Sequence, residues 1–465
     1  MHHLAQELRL LKHLRGLPLV IILLIALAFI ATGSGLLRQN DSERAIAGLL
    51  EAETQLRNTL RGSLERQDDG VASKPGALGF SVLSEHVVLS LSPGAPLAVG
   101  SSELLPAHYR FDAHAAYLQQ GRGDIDNPLR LSVGSFDLSF VLVFVVPIMV
   151  IALCYDMVSK EKEHGVLALA CAQGIDPQQF ITGKLLARGL TTLVMVSLAI
   201  GVAFLILTLS GARPELDTSL AWWAMSLLYT GFWFALAVLV NAQNRDSATN
   251  GVILANLWLL LVVIVPAVIG LSATSLFPAP SRVALTTELR EAATEAEAQA
   301  AAAREKYFFD HPDASSTDLD QEIYFRAVAQ SEAEISGSIE STLAAFETQA
   351  ERQSSLAERL KFLSPALLFQ QSLNQLVGSD RDAYVAFRTA AYAHHEQWRQ
   401  FFVQSMEAGN TLGPSDWEQL PRYSWTPADA NVRVRRTVPA AITLALLMFG
   451  LLAGARRQFK RYPVV

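Results

Sequence analysis

Charge is scarce in this chain. Only 17% of its 465 residues are Asp, Glu, Lys or Arg, while 51% are hydrophobic; a soluble protein normally carries about a quarter charged residues. The scarcity is uneven. Apolar stretches of about 20 residues alternate with stretches rich in Glu, Gln, Ala and Arg, which excludes an ordinary soluble globule and fits membrane spans separated by aqueous segments. Cysteine is rarer still. Cys154 and Cys171 lie close together near the end of one apolar run, so no disulfide can staple the long polar segments, and their folds must rest on packing. Reaction signatures are missing too. No GxxxxGK[ST] phosphate loop is present, since Gly183-Lys184 lacks both the upstream glycine and the following Ser or Thr. His394-His395-Glu396 is not HExxH, for no histidine follows at the needed spacing, and a surface helix position is expected for it. His86, His108 and His114 show no ligand pattern, and no GxSxG elbow occurs. No catalytic residue, metal site or cofactor site is expected.

What the sequence does have is six apolar runs: Leu17–Leu37, Phe136–Tyr155, Leu185–Leu209, Leu220–Val240, Gly251–Leu271 and Val438–Ala455. Each can cross about 30 Å of hydrocarbon at roughly 1.5 Å per residue. The first also fits a cleavable leader, with Arg9, Lys12 and Arg15 ahead of an apolar run and Ala31–Gly35 behind it. Its length and the five runs that follow favour a retained anchor. Orientation follows the basic residues near the run ends. Arg9, Lys12 and Arg15 precede the first run, and Lys160, Lys162 and Lys184 follow the second. Arg245 follows the fourth, and Arg456, Arg457, Lys460 and Arg461 follow the last. Six crossings put all of them on one side, so both termini are expected in the cytoplasm. Arg433, Arg435 and Arg436, on the other side, run against the rule. The tail His2–Arg15 is amphipathic and fits an interfacial helix over residues 1–16.

Two long segments then lie outside, residues 38–135 and 272–437. The first holds a helical pattern over Ala45–Leu64, then a Gly/Pro-rich stretch in which Phe80–Leu91 reads as one or two short strands. The second is largely helical. Val283–Phe309 and Leu319–Leu363, separated by a break at His311–Ser316, have the spacing of an antiparallel coiled-coil-like hairpin. A further helix is expected over Asp382–Met406. The acidic, Ala-rich run Glu288–Glu305 reads as a solvated helix face. Within the spans, Asn241, Asn250 and Asn256 are polar, and Pro147 and Pro266 predict kinks. Asn256 fits a helix–helix hydrogen bond or a position facing a second half or a pathway. The expected fold class is therefore a mainly α polytopic membrane protein, with six spans and a largely helical outer domain.

The stretch after the second span, residues 156–184, is the most informative. Its acidic and basic run Lys160-Glu161-Lys162-Glu163-His164 ends at Gly165; Val166–Ala172 is a short apolar helix; Gly174 closes it; Asp176-Pro177 starts the next helix. A short helix with an apolar face and charged flanks fits a groove on a partner protein, although an ordinary solvated loop has the same composition.

That pattern resembles the coupling-helix region of ABC-2 type permeases, the membrane subunits of one class of ABC exporters, with Val166 where the family pattern usually has Thr. A second, narrower likeness rests on Leu363-Ser364-Pro365-Ala366-Leu367-Leu368-Phe369-Gln370, with Leu373, Leu376 and Gly378, and on Trp398-Arg399-Gln400-Phe401-Phe402. These residues resemble a bacterial subfamily with an enlarged extracytoplasmic domain between the last two spans. The resemblance implies a permease half in the bacterial inner membrane. It would pair with a second half, identical or homologous, and be driven by two ABC ATPase subunits that bind the ATP. It implies ATPase coupling through Glu161, Glu163, His164, Gly165, Val166, Leu167, Leu169, Gly174 and Lys184, with the two glutamates near the ATPase's charged surface. Export of a substrate is the first expectation. Mechanical action on an envelope partner through the outer domain is the second, and a membrane scaffold or receptor unrelated to ABC transporters is the third. No nucleic-acid partner is implied.

Overall fold

The computed structural model describes residues 16–66, 70–100, 106–119, 136–278, 282–311, 317–460 and 462. The helix expected over His2–Arg15, Arg461 and most of the His311–Ser316 break lie outside them. The protein is mainly α-helical, and six helices are long and apolar enough to cross a membrane: α1 (Gly16–Glu65), α2 (Leu138–Glu163), α4 (Pro177–Leu209), α5 (Leu216–Asn241), α6 (Ser247–Leu276) and α12 (Ala430–Phe459). The short α3 (Val166–Ala172) lies between α2 and α4. The remaining α-helices of five or more residues among the described residues are α7 (Arg282–Asp310), α8 (Thr317–Leu360), α9 (Pro365–Val377), α10 (Arg381–Glu407) and α11 (Pro414–Glu418).

The first span and the amphipathic helix after it are one continuous helix of 50 residues. The physical reason is local. No glycine or proline interrupts residues 36–47, and leaving the apolar phase does not by itself end a helix. Exposed pairs such as Gln39–Glu43 (2.7 Å) and Arg44–Asp41 (3.6 Å) carry α1 through this polar stretch. The strand signal at Phe80–Leu91 resolves into a short helical turn over Leu78–Val82 and one strand, β1 (Glu85–Val88). The partner strand β2 (His108–Phe111) comes about 20 residues later, antiparallel, with Glu85 opposite Phe111 and Val88 opposite His108.

Helices α7 and α8 pair as a hairpin through Leu289, Ala292, Ala296, Ile335 and Ile339, and Thr342 donates to Glu288 at 2.9 Å. Helix α10 runs beside α8, with Arg399 donating to the Ala329 carbonyl at 3.0 Å. These helices and the two strands stand at the end of the bundle opposite α3.

Helix α9 belongs to the bundle itself. Its Phe369 ring stacks on Tyr229 at 4.2 Å, and Tyr229 is the middle of α5. At its start, Ser364 donates to the Leu261 carbonyl of α6 at 2.9 Å. At its end, Arg433 donates to the Leu376 carbonyl at 2.8 Å. So α9 enters from the far end and reaches mid-height. Arg433, whose charge ran against the orientation rule, is buried and also pairs with Glu215.

The two prolines act alike. Each follows a π-helical segment, Val141–Val145 in α2 and Leu259–Ile264 in α6. A proline has no N–H, so a carbonyl one turn earlier loses its partner. A hydroxyl from another element replaces it. Tyr229 donates to the Val143 carbonyl at 3.0 Å, four residues before Pro147, and Ser364 serves Leu261, five before Pro266. Unpaired carbonyls in an apolar bundle cost about 1–2 kcal/mol. Tyr229→Phe should therefore destabilise the detergent-solubilised protein by about that much, read from thermal unfolding. Adding Pro147→Ala, which restores an N–H, should recover most of it. An unchanged midpoint for Tyr229→Phe would show that the hydroxyl does not serve that carbonyl.

Candidate coupling turn

The turn is built by two glycines in left-handed backbone. Gly165 has φ +71° and Gly174 has φ +80°. A side chain at either would be strained, by about 1 kcal/mol, although the space around both is open. Gly165 ends α2 and starts α3. At the other end, Ile175 donates to the Ala170 carbonyl at 3.1 Å and Gly174 to that of Cys171 at 3.0 Å, closing α3. Asp176 then caps α4, accepting from the Gln178 N–H at 3.3 Å with Pro177 in the first position.

Seven residues make barely two turns, so α3 has two sides. Leu167 is 1% exposed and Ala170 is buried, which anchors one side to the bundle. On the other side Leu169 is 60% exposed and Val166 40%. Ala168, Ala172 and His164 are exposed with them. The His164 ring lies 2.8 Å from the Lys160 carbonyl.

Part of the charged flank turns inward. Glu161, expected at a partner's surface, pairs with Lys184, which is buried and lies over the Phe180 ring at 5.9 Å. The Glu163 carboxylate accepts from the Ser247 N–H at 2.5 Å and so sits at the N-terminus of α6, where a negative charge is stabilised. Lys162 donates to Asn244 at 2.8 Å. The reason is proximity: α2 ends between the starts of α4 and α6, and a carboxylate there meets a lysine and a helix start before it meets a partner. Of the residues singled out in sequence, Glu163, His164, Val166 and Leu169 are exposed, Leu167, Glu161 and Lys184 face inward, and Gly165 and Gly174 set the bends.

Further residues hold the turn that the motif did not reveal. Asn241 is fully buried, accepts from the Val158 N–H at 3.3 Å, and donates to the Cys154 carbonyl at 3.0 Å. Arg188 donates to the Leu153 carbonyl and lies 3.5 Å from Asp156. Ser159 meets Ser247 at 3.0 Å and receives Asn250 at 3.3 Å. The turn is thereby tied to α4, α5 and α6. The polarity of Asn241 and Asn250 at span ends was the available signal, since buried amides require partners.

Removing one member of a buried ion pair leaves a charge without compensation. Glu161 is about a quarter exposed, so Glu161→Gln should cost about 2 kcal/mol rather than the larger value of a fully buried pair. Adding Lys184→Met should recover most of that loss. Thermal unfolding of the single and double variants tests this; strictly additive losses would show no coupling between the two.

His394 and His395 correct the expectation of a surface helix position. Both are buried on α10, His394 at 2.5 Å from Glu85 and His395 at 2.9 Å from the His114 carbonyl. The packing of α10 against β1 and β2 covers them. Among the described residues no group of three or more His, Cys, Asp or Glu is placed to hold a metal.

Residues 117–285 match the ABC-2 family transporter protein family, and residues 282–426 match a domain of unknown function (DUF3526). No curated protein matches the sequence. The first match covers α2 to α6 with the turn; the second covers α7 to α11, including α9 inside the bundle. The chain is a multi-pass membrane protein whose residues 117–285 match an ABC-2 family transporter domain, with a second domain match joined behind it.

Proposed function

We propose that this chain is one transmembrane half of an ATP-driven exporter, with α3 docked on a separate ATPase subunit on the cytoplasmic side. The observation that carries the reading is the two-sided α3. Leu167 and Ala170 fix it to the bundle, while Leu169 and Val166 present apolar surface at the end of an otherwise polar turn. Apolar side chains held out on a rigid mount are what a groove on a partner recognises. The docking contact is then apolar, through Val166, Ala168 and Leu169, and Glu161 and Lys184 hold the mount. Two such halves, identical or homologous, form the pathway in the bacterial inner membrane, with both termini in the cytoplasm and two ATPase subunits beneath.

The test is purification of the full-length chain from its own host, followed by reconstitution. An ABC ATPase should co-purify, and ATP should drive movement of a substrate across vesicles. A chain that binds no ATPase under these conditions is not a permease half.

A specific observation favours a second reading, mechanical work without translocation. Helix α1 runs unbroken from the bundle into the outer domain, and α9 of the outer domain runs back to mid-height. Motion of the spans would reach the outer domain through both. ATP-dependent changes in the outer domain without vesicle transport would select this reading.

A further inference from the structure

Depth in the membrane can be read along α6. Its apolar run, Gly251–Leu271, has Leu261 at the centre, ten residues and roughly 15 Å from either end. Ser364, between α8 and α9, donates to the Leu261 carbonyl at 2.9 Å. Gln353, eleven residues earlier on α8, donates at 2.5 Å to the Phe277 carbonyl at the outer end of α6. The end of α8 therefore descends beside α6 through the outer half of the membrane. The chain turns at mid-height over Lys361–Leu363, and α9 climbs back to Arg433.

The descending arm is charged. Glu358, Arg359 and Lys361 lie six, five and three residues before Ser364, so roughly 5–9 Å along the axis from mid-height. The Glu358 side chain is 48% exposed; it pairs with Lys361 at 2.5 Å and accepts from Gln371 of α9. Arg359 is exposed and has no ion pair among the described residues. Near the same depth the spans present Leu198 on α4, Leu260 on α6 and Leu446 on α12, as lipid requires. Charged groups at membrane depth belong beside water or protein, not hydrocarbon. Snorkelling does not rescue them, because a glutamate is too short to reach the surface and Lys361 is held to it. A protein partner would have to desolvate an arginine and an ion pair together. Water meets neither obstacle. The polarity also continues up α9, where Gln371 and Asn374 are half-buried. Beyond the charges, at the tip, Phe362 and Leu363 are apolar and exposed, and an apolar floor stops water.

We propose that the α8–α9 hairpin lines a water-filled vestibule open to the outer side, with Glu358, Arg359 and Lys361 on its wall and Phe362 and Leu363 at its floor. On the permease-half reading it is the exit side of the pathway, but the vestibule itself needs no ATPase.

The test is thiol accessibility. In a full-length background carrying Cys154→Ala and Cys171→Ala, Arg359→Cys is exposed to a charged, membrane-impermeant methanethiosulfonate added only outside spheroplasts. Glu297→Cys, exposed on α7, is the aqueous reference, and Leu446→Cys, outward on α12, is the lipid reference. Arg359→Cys should react within about tenfold of the aqueous reference, and Leu446→Cys at least about 100-fold more slowly, since the thiolate is the reactive form. Arg359→Leu in the parent chain gives a measurement that needs no thiol. Beside water its thermal midpoint in reconstituted bilayers stays unchanged; beside lipid the midpoint rises, because a charge has left the hydrocarbon. The proposal is overturned if Arg359→Cys reacts as slowly as the lipid reference, whether lipid or a second chain covers it, or if Arg359→Leu raises the midpoint. The ATPase readout is separate: position 359 closed to the reagent in a chain that binds its ATPase overturns the vestibule alone, and an open position 359 in a chain that binds none overturns the permease reading alone.

Discussion

Leu169→Asp should abolish productive contact with the ATPase while leaving the chain folded. Leu169 is 60% exposed at the tip of α3 and, at about 100° per residue, points away from Leu167, which is 1% exposed. An aspartate at position 169 stays hydrated in the free chain, so thermal unfolding should be unchanged. In a complex with an apolar groove the same carboxylate would lose its water without gaining a partner. A central apolar contact of this kind is worth about 2–3 kcal/mol, so ATPase affinity should fall roughly 30- to 150-fold, with transport falling alongside. Leu167→Asp is the control with the opposite signature: it should lower the unfolding midpoint, because position 167 is inside. The readouts are co-purification of the ATPase and the thermal midpoint. If Leu169→Asp binds the ATPase as well as the parent, α3 is not the docking element.

The contrast between positions 167 and 169 also shows how far the sequence could be read. The spans were legible because runs of 18 or more apolar residues have few alternatives. The α3 turn was legible because Gly165 and Gly174 punctuate it and Asp176-Pro177 opens a helix. Side-chain direction was not. Glu161 finds Lys184 across 23 residues, and Glu163 finds the Ser247 N–H across 84; no local pattern carries such separations. The continuity of α1 was hidden because its composition turns polar after Leu37, although nothing in residues 36–47 breaks a helix. Helix α9 was hidden differently. Its thirteen residues include Gln370, Gln371, Asn374 and Gln375, too short and too polar for a span, and only contact with Tyr229 and Leu261 places it in the bundle. His394 and His395 were misread for a related reason: a histidine pair on a long amphipathic helix looks solvated until β1 and β2 cover it.

That covered region gives the other large expected effect. Glu85, on β1, is 6% exposed and holds three elements together. It lies 2.5 Å from His394 Nε2 on α10, accepts from the Tyr423 N–H at 3.2 Å, and faces Arg57 of α1 at 3.7 Å. Arg57 also pairs with Glu53 at 2.9 Å and lies 5.3 Å over the Trp398 ring. Glu85→Ala removes the acceptor from this site and leaves its donors and the guanidinium less compensated. Breaking a buried, hydrogen-bonded charge costs about 3–4 kcal/mol, so backbone amides in α10 should exchange with solvent about 100-fold faster or more. Glu85→Gln keeps an acceptor for the Tyr423 N–H and should lose less. Acid should act in the same direction through a neighbour. Burial holds His395 below the ordinary value of 6.5, so it is neutral when folded. The unfolded chain binds its proton first, and stability from this residue is intact above about pH 6.5 and declines as pH falls toward the lower folded value. The bundle should be spared in both experiments, because among the described residues the partners of Glu85 are Arg57, His394 and Tyr423 and those of His395 are His114 and Phe111, none of them within the bundle. Loosening in α10 without loosening in α5 would then separate two roles of α1, a span at one end and a tether at the other. Equal loosening in both would mean that the outer domain and the bundle open as one unit, which is the behaviour a mechanical transmitter requires.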